Sequence, residues 1–306
     1  MCYSAMVYAE ISKLERKLGI KIDPGWYVEE FWTKKGRDPY KRPRVPRALE
    51  LDAIAHGPPS IAAAVVEADQ IEIDRLTQEV FAQRKRVADA QRALQSKETK
   101  KAREDVRIGT NKVEAAMRRL DELKKPPSES GLGRIYPGYF CPVVVKEGDR
   151  YVVRPMRYQC RLPGWTEVIE RKYPGTYNAR RDRLELAWGK VFGFTHGVVL
   201  ATAFYEHVDR DGQDQVLEFK PSDGRDMIAA CLWTRTTERD GTPLYSFAAV
   251  TDDPPEEVAA AGHDRCIIPI NREHLDAWLA PTGDLAALYA VLDSRDRPYY
   301  EHRLAA

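Results

Sequence analysis

The sequence has few cysteines, and none forms a CxxC pair: Cys2, Cys141, Cys160, Cys231 and Cys266 are odd in number and far apart. That spacing argues against a zinc cluster and against a disulfide framework, and no metal or cofactor is expected. No apolar run approaches the ~20 residues of a membrane span, and the first residues lack the basic-then-apolar texture of a secretory leader. A cytoplasmic chain with no membrane partner is expected. There is no GxxxxGK phosphate loop, no strand-linked GxGxxG and no HExxH, so nucleotide, dinucleotide and zinc-protease chemistry find no support. A charge excess is also missing: 48 Lys and Arg stand against 47 Asp and Glu, for a net +1. An anionic partner must therefore be held by a local patch, not by the field of the whole chain.

What is present begins at the first two residues. Methionine aminopeptidases remove Met1 when the next side chain is small, and cysteine qualifies, so the mature chain is expected to start at Cys2. Its terminus is then a 1,2-aminothiol, with reference pKa values of ~7.7–8 for the amine and ~8.5 for the thiol, so both nucleophiles are partly deprotonated near neutrality. Such a pair can attack an acyl carbon through sulfur. It can also condense with an aldehyde through nitrogen and close a five-membered thiazolidine through sulfur. A small buried hydrophobe is the plain alternative for a cysteine.

The length of 306 residues and a 43% hydrophobic content allow one large domain or two ordinary ones. Ile11, Leu14 and Leu18 recur at helical spacing until Gly19 breaks the pattern. Asp23-Pro24-Gly25 reads as a turn, and Trp26, Tyr27, Phe31 and Trp32 as an aromatic core cluster. Arg37 to Arg47, basic and proline-bearing, reads as an extended surface connection.

From Ser60 to Lys125 proline and aromatics nearly vanish. Leu76, Val80, Val87 and Leu94, resumed by Val113, Met117 and Leu120, form one apolar stripe, which predicts two long helices packed as a hairpin. The turn falls either at Gln95 to Thr99 or at Gly109-Thr110. Between Gln70 and Lys125, 15 basic residues face 10 acidic ones; the hairpin is a solvated coiled coil or an arm for a nucleic acid or a replication or repair partner.

Beyond Arg134 the texture changes to short β-rich runs: Val143 to Val145, Tyr151 to Val153, Val198 to Tyr205, Gln215 to Phe219, Ile228 to Thr234, Tyr245 to Val250 and Ile267-Ile268. Turns at Glu147-Gly148-Asp149, Asp209 to Gly212 and Asp240-Gly241 separate them. The fold class is α+β, a mainly antiparallel curled sheet or partly closed barrel with flanking helices and the inserted hairpin. Asn271 to Leu279 and Asp284 to Val291 read as the last helices. The expected division is residues 1–40 and 131–306 as one catalytic domain, with 41–130 as the insert.

Polar groups gather at the ends of these runs. Glu206 closes the apolar stretch Val198 to Tyr205, where partial desolvation would raise its pKa toward the range useful for proton transfer. Tyr177-Asn178-Ala179-Arg180 and Gly262-His263-Asp264-Arg265 sit beside turns. Singly, Asn178 is a turn cap, Glu206 a partner for Arg180 and His263 a residue near a helix start.

Together, Met1-Cys2, Asn178-Ala179-Arg180, Phe204-Tyr205-Glu206 and His263-Asp264-Arg265 resemble, in order and spacing, the SOS-response-associated peptidase (SRAP) family of abasic-site processing proteins. That pattern reads Met-Cys-x-Arg, a Pro-bearing loop (here Tyr136-Pro137-Gly138), Trp-Gly, Asn-Ala-Arg, Phe-aromatic-Glu-Trp and His-Asp-Arg-Met-Pro. The likeness spans residues 1 to about 10 and about 131 to 285. Departures are Ser4 for Arg, Tyr158-Gln159 for Trp-Gly, His207 for Trp and Cys266-Ile267 for Met-Pro.

The resemblance implies that the substrate is an abasic site in single-stranded DNA, and that Cys2 is linked to it covalently as a thiazolidine. Asn178 would orient the terminus, Glu206 would shuttle protons, and His263 would assist sugar ring opening. Arg180 and Arg265 would clamp phosphates, and Pro137 and Tyr158 would pack on flanking bases. The same residues imply autopeptidase cleavage ahead of Cys2 and a nucleoid location when engaged on DNA. An N-terminal-nucleophile cysteine amidohydrolase and a noncatalytic single-strand-binding module remain as alternatives.

Overall fold

The computed structural model describes residues 4–8, 11–19, 44–56, 59–125, 132–210 and 212–305. The chain divides into two compact units, one of residues 1–31, 43–49 and 133–306 and the other of 32–42 and 50–132. The aromatic cluster expected at Trp26 to Trp32 lies outside the described residues.

The first unit is built around one strand. Among the described residues its strands are β1 (Ser4–Val7), β2 (Arg134–Ile135), β3 (Phe140–Glu147), β4 (Arg150–Tyr158), β5 (Asn178–Arg180), β6 (His196–Arg210), β7 (Gln213–Pro221), β8 (Met227–Thr237), β9 (Pro243–Asp252), β10 (Cys266–Ile267) and β11 (Tyr300–Leu304). β6 is the long one. Its first half pairs with β8 and touches β3 at Val144↔Val198, while its second half pairs with β1 and β7. A strand covered on both faces reads as a continuous apolar run, whereas one with a solvated face alternates. β6 does both in turn. Val198 to Leu200 are buried, and past Glu206 the pattern becomes exposed His207, buried Val208 and exposed Asp209.

The pairings β3–β4, β4–β9, β9–β8, β8–β6 and β6–β3 close a five-stranded ring. All are antiparallel except β4–β9, and β5 adds a second parallel pair on β9. The expected partly closed, mainly antiparallel barrel is therefore observed. Its interior is filled by Val143, Met156, Tyr158, Val199, Cys231 and Phe247 among others. A cavity of about 20 Å³ remains beside Ala5 and Ala249, on the scale of one water. Among the described residues this interior cavity is too small for a ligand.

The helices of this unit include α1 (Ile11–Leu18), with Leu14 and Leu18 buried. The segment read as a surface connection ends differently, because Val45 and Arg47 are buried and Phe140 N–H donates to the Arg44 carbonyl at 2.7 Å. Backbone pairing draws this stretch onto the sheet. Arg47 also opens α2 (Arg47–His56), which the sequence reading did not anticipate.

The second unit is a hairpin of α3 (Pro59–Ser96) and α4 (Lys100–Lys124). Leu76 and Val80 pack with Ala116 and Leu123, while Arg86–Asp105 and Arg119–Glu72 tie the helices across the seam. Thr99 caps α4 by accepting from the Ala102 amide at 3.2 Å, so the turn is at residues 97–99. Gly109 is mid-helix instead: a Cβ there would lie 2.6 Å from a Val87 methyl, so its lack of a side chain lets the helices approach. Met117, placed on the stripe, is 39% exposed.

The remaining helices are α5 (Glu167–Lys172), α6 (Glu256–Ala260), α7 (Leu275–Leu279) and α8 (Leu285–Asp293). The first two were not foreseen. The helix expected over Asn271 to Leu279 begins as a 3-10 turn, Arg272–His274.

Candidate active site

Glu206 and His263 meet at the rim of the barrel. Alternation along β6 turns Phe204, Glu206 and Val208 to the interior face and His207 outward, and Glu206 is 0% exposed. His263 follows α6, where Gly262 takes φ +101°; this left-handed residue, which glycine adopts without strain, reverses the chain toward β6. His263 Nε2 then lies 3.2 Å from Glu206 Oε2. The Glu206 carboxylate is thus beside His263, whereas Arg180, the partner suggested by sequence, bonds Asp182 at 2.7 Å.

His263 Nδ1 lies 2.9 Å from the Arg265 carbonyl and 3.3 Å from the Arg265 amide nitrogen, so the backbone of Arg265 holds the ring in place. Nε2 faces the Glu206 carboxylate at 3.2 Å. Desolvation, the largest effect, lowers the His263 pKa below its ordinary value. A carboxylate and an imidazole are the side chains that general acid–base work uses most.

β9 brings the other groups to the same end. Asn178, Ala179 and Arg180 of β5 pair with Ala249, Val250 and Thr251, while Ile267 and Cys266 of β10 pair with Thr251 and Asp252. Asn178 is buried; the Arg180 side chain is 39% exposed, while that of Arg265 is largely shielded. Thr251, which the sequence reading left without a role, is fully buried between these strands, its hydroxyl making no hydrogen bond among the described residues. Its one sequence signal is a hydroxyl at the end of the apolar run Phe247 to Val250.

β1 also arrives here. Ser4 pairs with Tyr205, the residue before Glu206, and is itself fully buried. Cys2 lies outside the described residues. Of the remaining cysteines, burial pushes Cys141 and Cys231 well up and Cys160 to about 12; Cys266 is raised by burial and by the Glu206 charge. They remain thiols at neutral pH, and thiols are poor nucleophiles.

Tyr158 requires a correction. It is 2% exposed, stacked on Phe247 at 5.2 Å and edge-on to Tyr177 at 5.7 Å. The parallel pairing Tyr158↔Phe247 turns the ring into the barrel, so it offers no face to a base. Pro137 stands in the turn between β2 and β3 and is half-buried. Among the described residues no cluster suited to a metal occurs, and no helix is long and apolar enough to cross a membrane.

The chain thus forms a small, partly closed barrel with a buried carboxylate–imidazole pair at its rim, beside the strand that begins at Ser4. The chain belongs to the SOS response associated peptidase (SRAP) family, whose sequence model matches residues 91–304, more than half of the chain. No curated protein matches. A solved structure from Bordetella bronchiseptica is 18% identical, with 57% of this chain and 87% of that one covered and a TM-score of 0.49. Another, from Bacteroides thetaiotaomicron, is 15% identical, covers 57% and 78%, and has a TM-score of 0.48. A phage-related protein from Bordetella bronchiseptica is 18% identical, covers 56% and 81%, and has a TM-score of 0.43. Membership ties the chain to the SOS response and supports a DNA-damage-associated, abasic-site-binding protein.

Proposed function

We propose that the protein captures abasic sites in single-stranded DNA by joining them covalently to Cys2. The observation that carries this reading is the Glu206–His263 pair beside the end of β1. Cys2 is two residues from Ser4 in the chain, and Ser4 pairs with Tyr205, the residue before Glu206. The four other cysteines are buried thiols.

The ring-opened sugar of an abasic site presents an aldehyde. Once Met1 is removed, the Cys2 amine adds to the aldehyde carbon and the carbinolamine loses water to give an imine. The thiolate then adds to the same carbon, closing a thiazolidine. Glu206 takes the proton released by the amine and returns one to the departing hydroxyl, while His263 protonates the sugar ring oxygen during opening. Asn178 orients the terminus, and Arg180 and Arg265 hold phosphates, with Arg180 exchanging Asp182 for the strand. The same groups serve an autopeptidase step that exposes Cys2. Residues 41–130 form an insert outside this machinery and are available to a repair or replication partner.

The test is incubation of purified protein with single-stranded DNA bearing one abasic site. A heat-stable shifted band, absent with intact DNA, is the expected result. An amidohydrolase would leave no such band, and a noncatalytic binding module would hold intact DNA equally well and release both on heating.

A further inference from the structure

Arg134 is held in an unusual way for a cation near a protein surface. Its Nε donates to Ser4 Oγ at 3.1 Å, and its guanidinium lies 3.7 Å from the centroid of the Tyr205 ring and 5.0 Å from that of Tyr136. Stacking and one hydrogen bond thus fix the plane of the fork. Among the described residues no carboxylate pairs with it, and its two terminal nitrogens make no hydrogen bond. The acid on the adjacent strand, Glu218, is engaged elsewhere, by the Tyr205 hydroxyl at 2.8 Å and by Arg303.

Most arginines around the site are neutralised by neighbours: Arg180 by Asp182, Arg181 by Asp293, Arg295 by Asp252. Arg134 keeps its full charge on a half-buried, immobilised fork. A planar guanidinium pairs bidentately with a phosphate, and a side chain already ordered loses little entropy on binding. Its position is set by β2, whose Arg134 pairs with Met6 of β1. Ser4, Met6, Tyr205 and Arg134 therefore share one face of the sheet, and Glu206, one residue beyond Tyr205, points to the other.

We propose that Arg134 binds a backbone phosphate of the captured strand, flanking the abasic nucleotide, so that the strand crosses the β1–β2 edge to present its sugar to Cys2. This assignment rests on the function proposed above. Arg134 acts by positioning and touches no reacting atom.

The test uses the full chain and single-stranded DNA carrying a tetrahydrofuran abasic analogue, which has no aldehyde and cannot react. Affinity is read by fluorescence anisotropy across salt concentrations for the unaltered chain, Arg134→Gln and Arg134→Lys. Loss of one phosphate contact should lower the slope of log K against log salt by about 0.7 for a single strand. Arg134→Gln should show that drop, with a lower affinity, while Arg134→Lys should keep the slope and lose part of the affinity. An Arg134→Gln chain with unchanged melting and an unchanged slope overturns the proposal and leaves Arg134 a staple for Ser4 and Tyr205. Should Arg134→Gln not fold, methylphosphonates placed singly beside the analogue decide. One position must weaken binding by the unaltered chain, and weaken binding by Arg134→Lys less, because the lysine makes a poorer contact with the same phosphate; indifference at every position overturns the assignment. If the unaltered chain binds no single-stranded DNA, the underlying function fails and Arg134 falls with it.

Discussion

Glu206 Oε2 and His263 Nε2 stand 3.2 Å apart with 0% and 5% of their side chains exposed, so the two are direct polar neighbours across the rim. Removing one member therefore disables both. Glu206→Gln and His263→Gln should each slow adduct formation and its reversal by roughly 10²–10⁴-fold, and the double variant should be little worse than either single one. Rates from single turnovers on abasic single-stranded DNA check this. Additive losses would mean that the two residues act separately.

The same pair sets an acid limit. Because desolvation lowers the His263 pKa from its ordinary 6.5, the His263 ring becomes charged only below pH 6.5. The rate of adduct formation should therefore lose its His263-dependent component below that pH, and His263→Gln should abolish this acid limb. A pH–rate profile measures it; a limb retained in the variant assigns it to another group.

Much of the site's surroundings was legible from residues. The apolar run Val198 to Tyr205 marked Glu206 as the residue that closes it, and the structure buries its carboxylate there. The meeting with His263 was not legible, because it depends on the turn at Gly262 and on a pairing between segments distant in sequence. The strands β1, β2, β5 and β11 escaped for a related reason: they are short, and each forms only on an edge already built by another strand. Tyr158 was misassigned because resemblance to a pattern fixes a position in the chain, whereas the parallel register with Phe247 decides which way the ring faces.

Gln159 carries backbone strain. It takes φ +123°, the one non-glycine residue with positive φ among those described, where the family pattern has glycine. Its carbonyl is held by the Arg157 guanidinium at 3.1 Å and its amide donates to the Phe247 carbonyl at 3.0 Å. Such strain costs about 1–3 kcal/mol, offset in part by the greater freedom of an unfolded glycine. Gln159→Gly should thus stabilise the first unit by about 1 kcal/mol in urea titrations, and Gln159→Ala should not. Equal effects of both would locate the cost in the side chain.

His196 gives a stability signal independent of catalysis. Burial lowers its pKa from 6.5 to about 3, its Nε2 accepts from the Gly193 amide at 2.9 Å, and its ring packs on Trp278. The folded state binds this proton more weakly than the unfolded state does, so the contribution is present above pH 6.5 and lost as pH falls toward 3. Between pH 7 and 4.5 the native chain should lose roughly 2–3 kcal/mol more than His196→Gln. Parallel urea curves at the two pH values check it, and equal losses would contradict it.

The central claim is that the Cys2 amine and thiol both act on one carbon of the abasic sugar. Its most direct measurement is intact mass of the protein–DNA product, with and without borohydride, for three forms: the mature chain, Cys2→Ser, and a chain whose Cys2 amine is blocked by an uncleavable preceding residue. The account predicts a heat-stable adduct that needs no reductant for the mature chain alone, an adduct only after borohydride for Cys2→Ser, and none for the blocked chain. A blocked or Met1-retaining chain that crosslinks as well as the mature one contradicts it and makes Cys2 an ordinary thiol or a bystander.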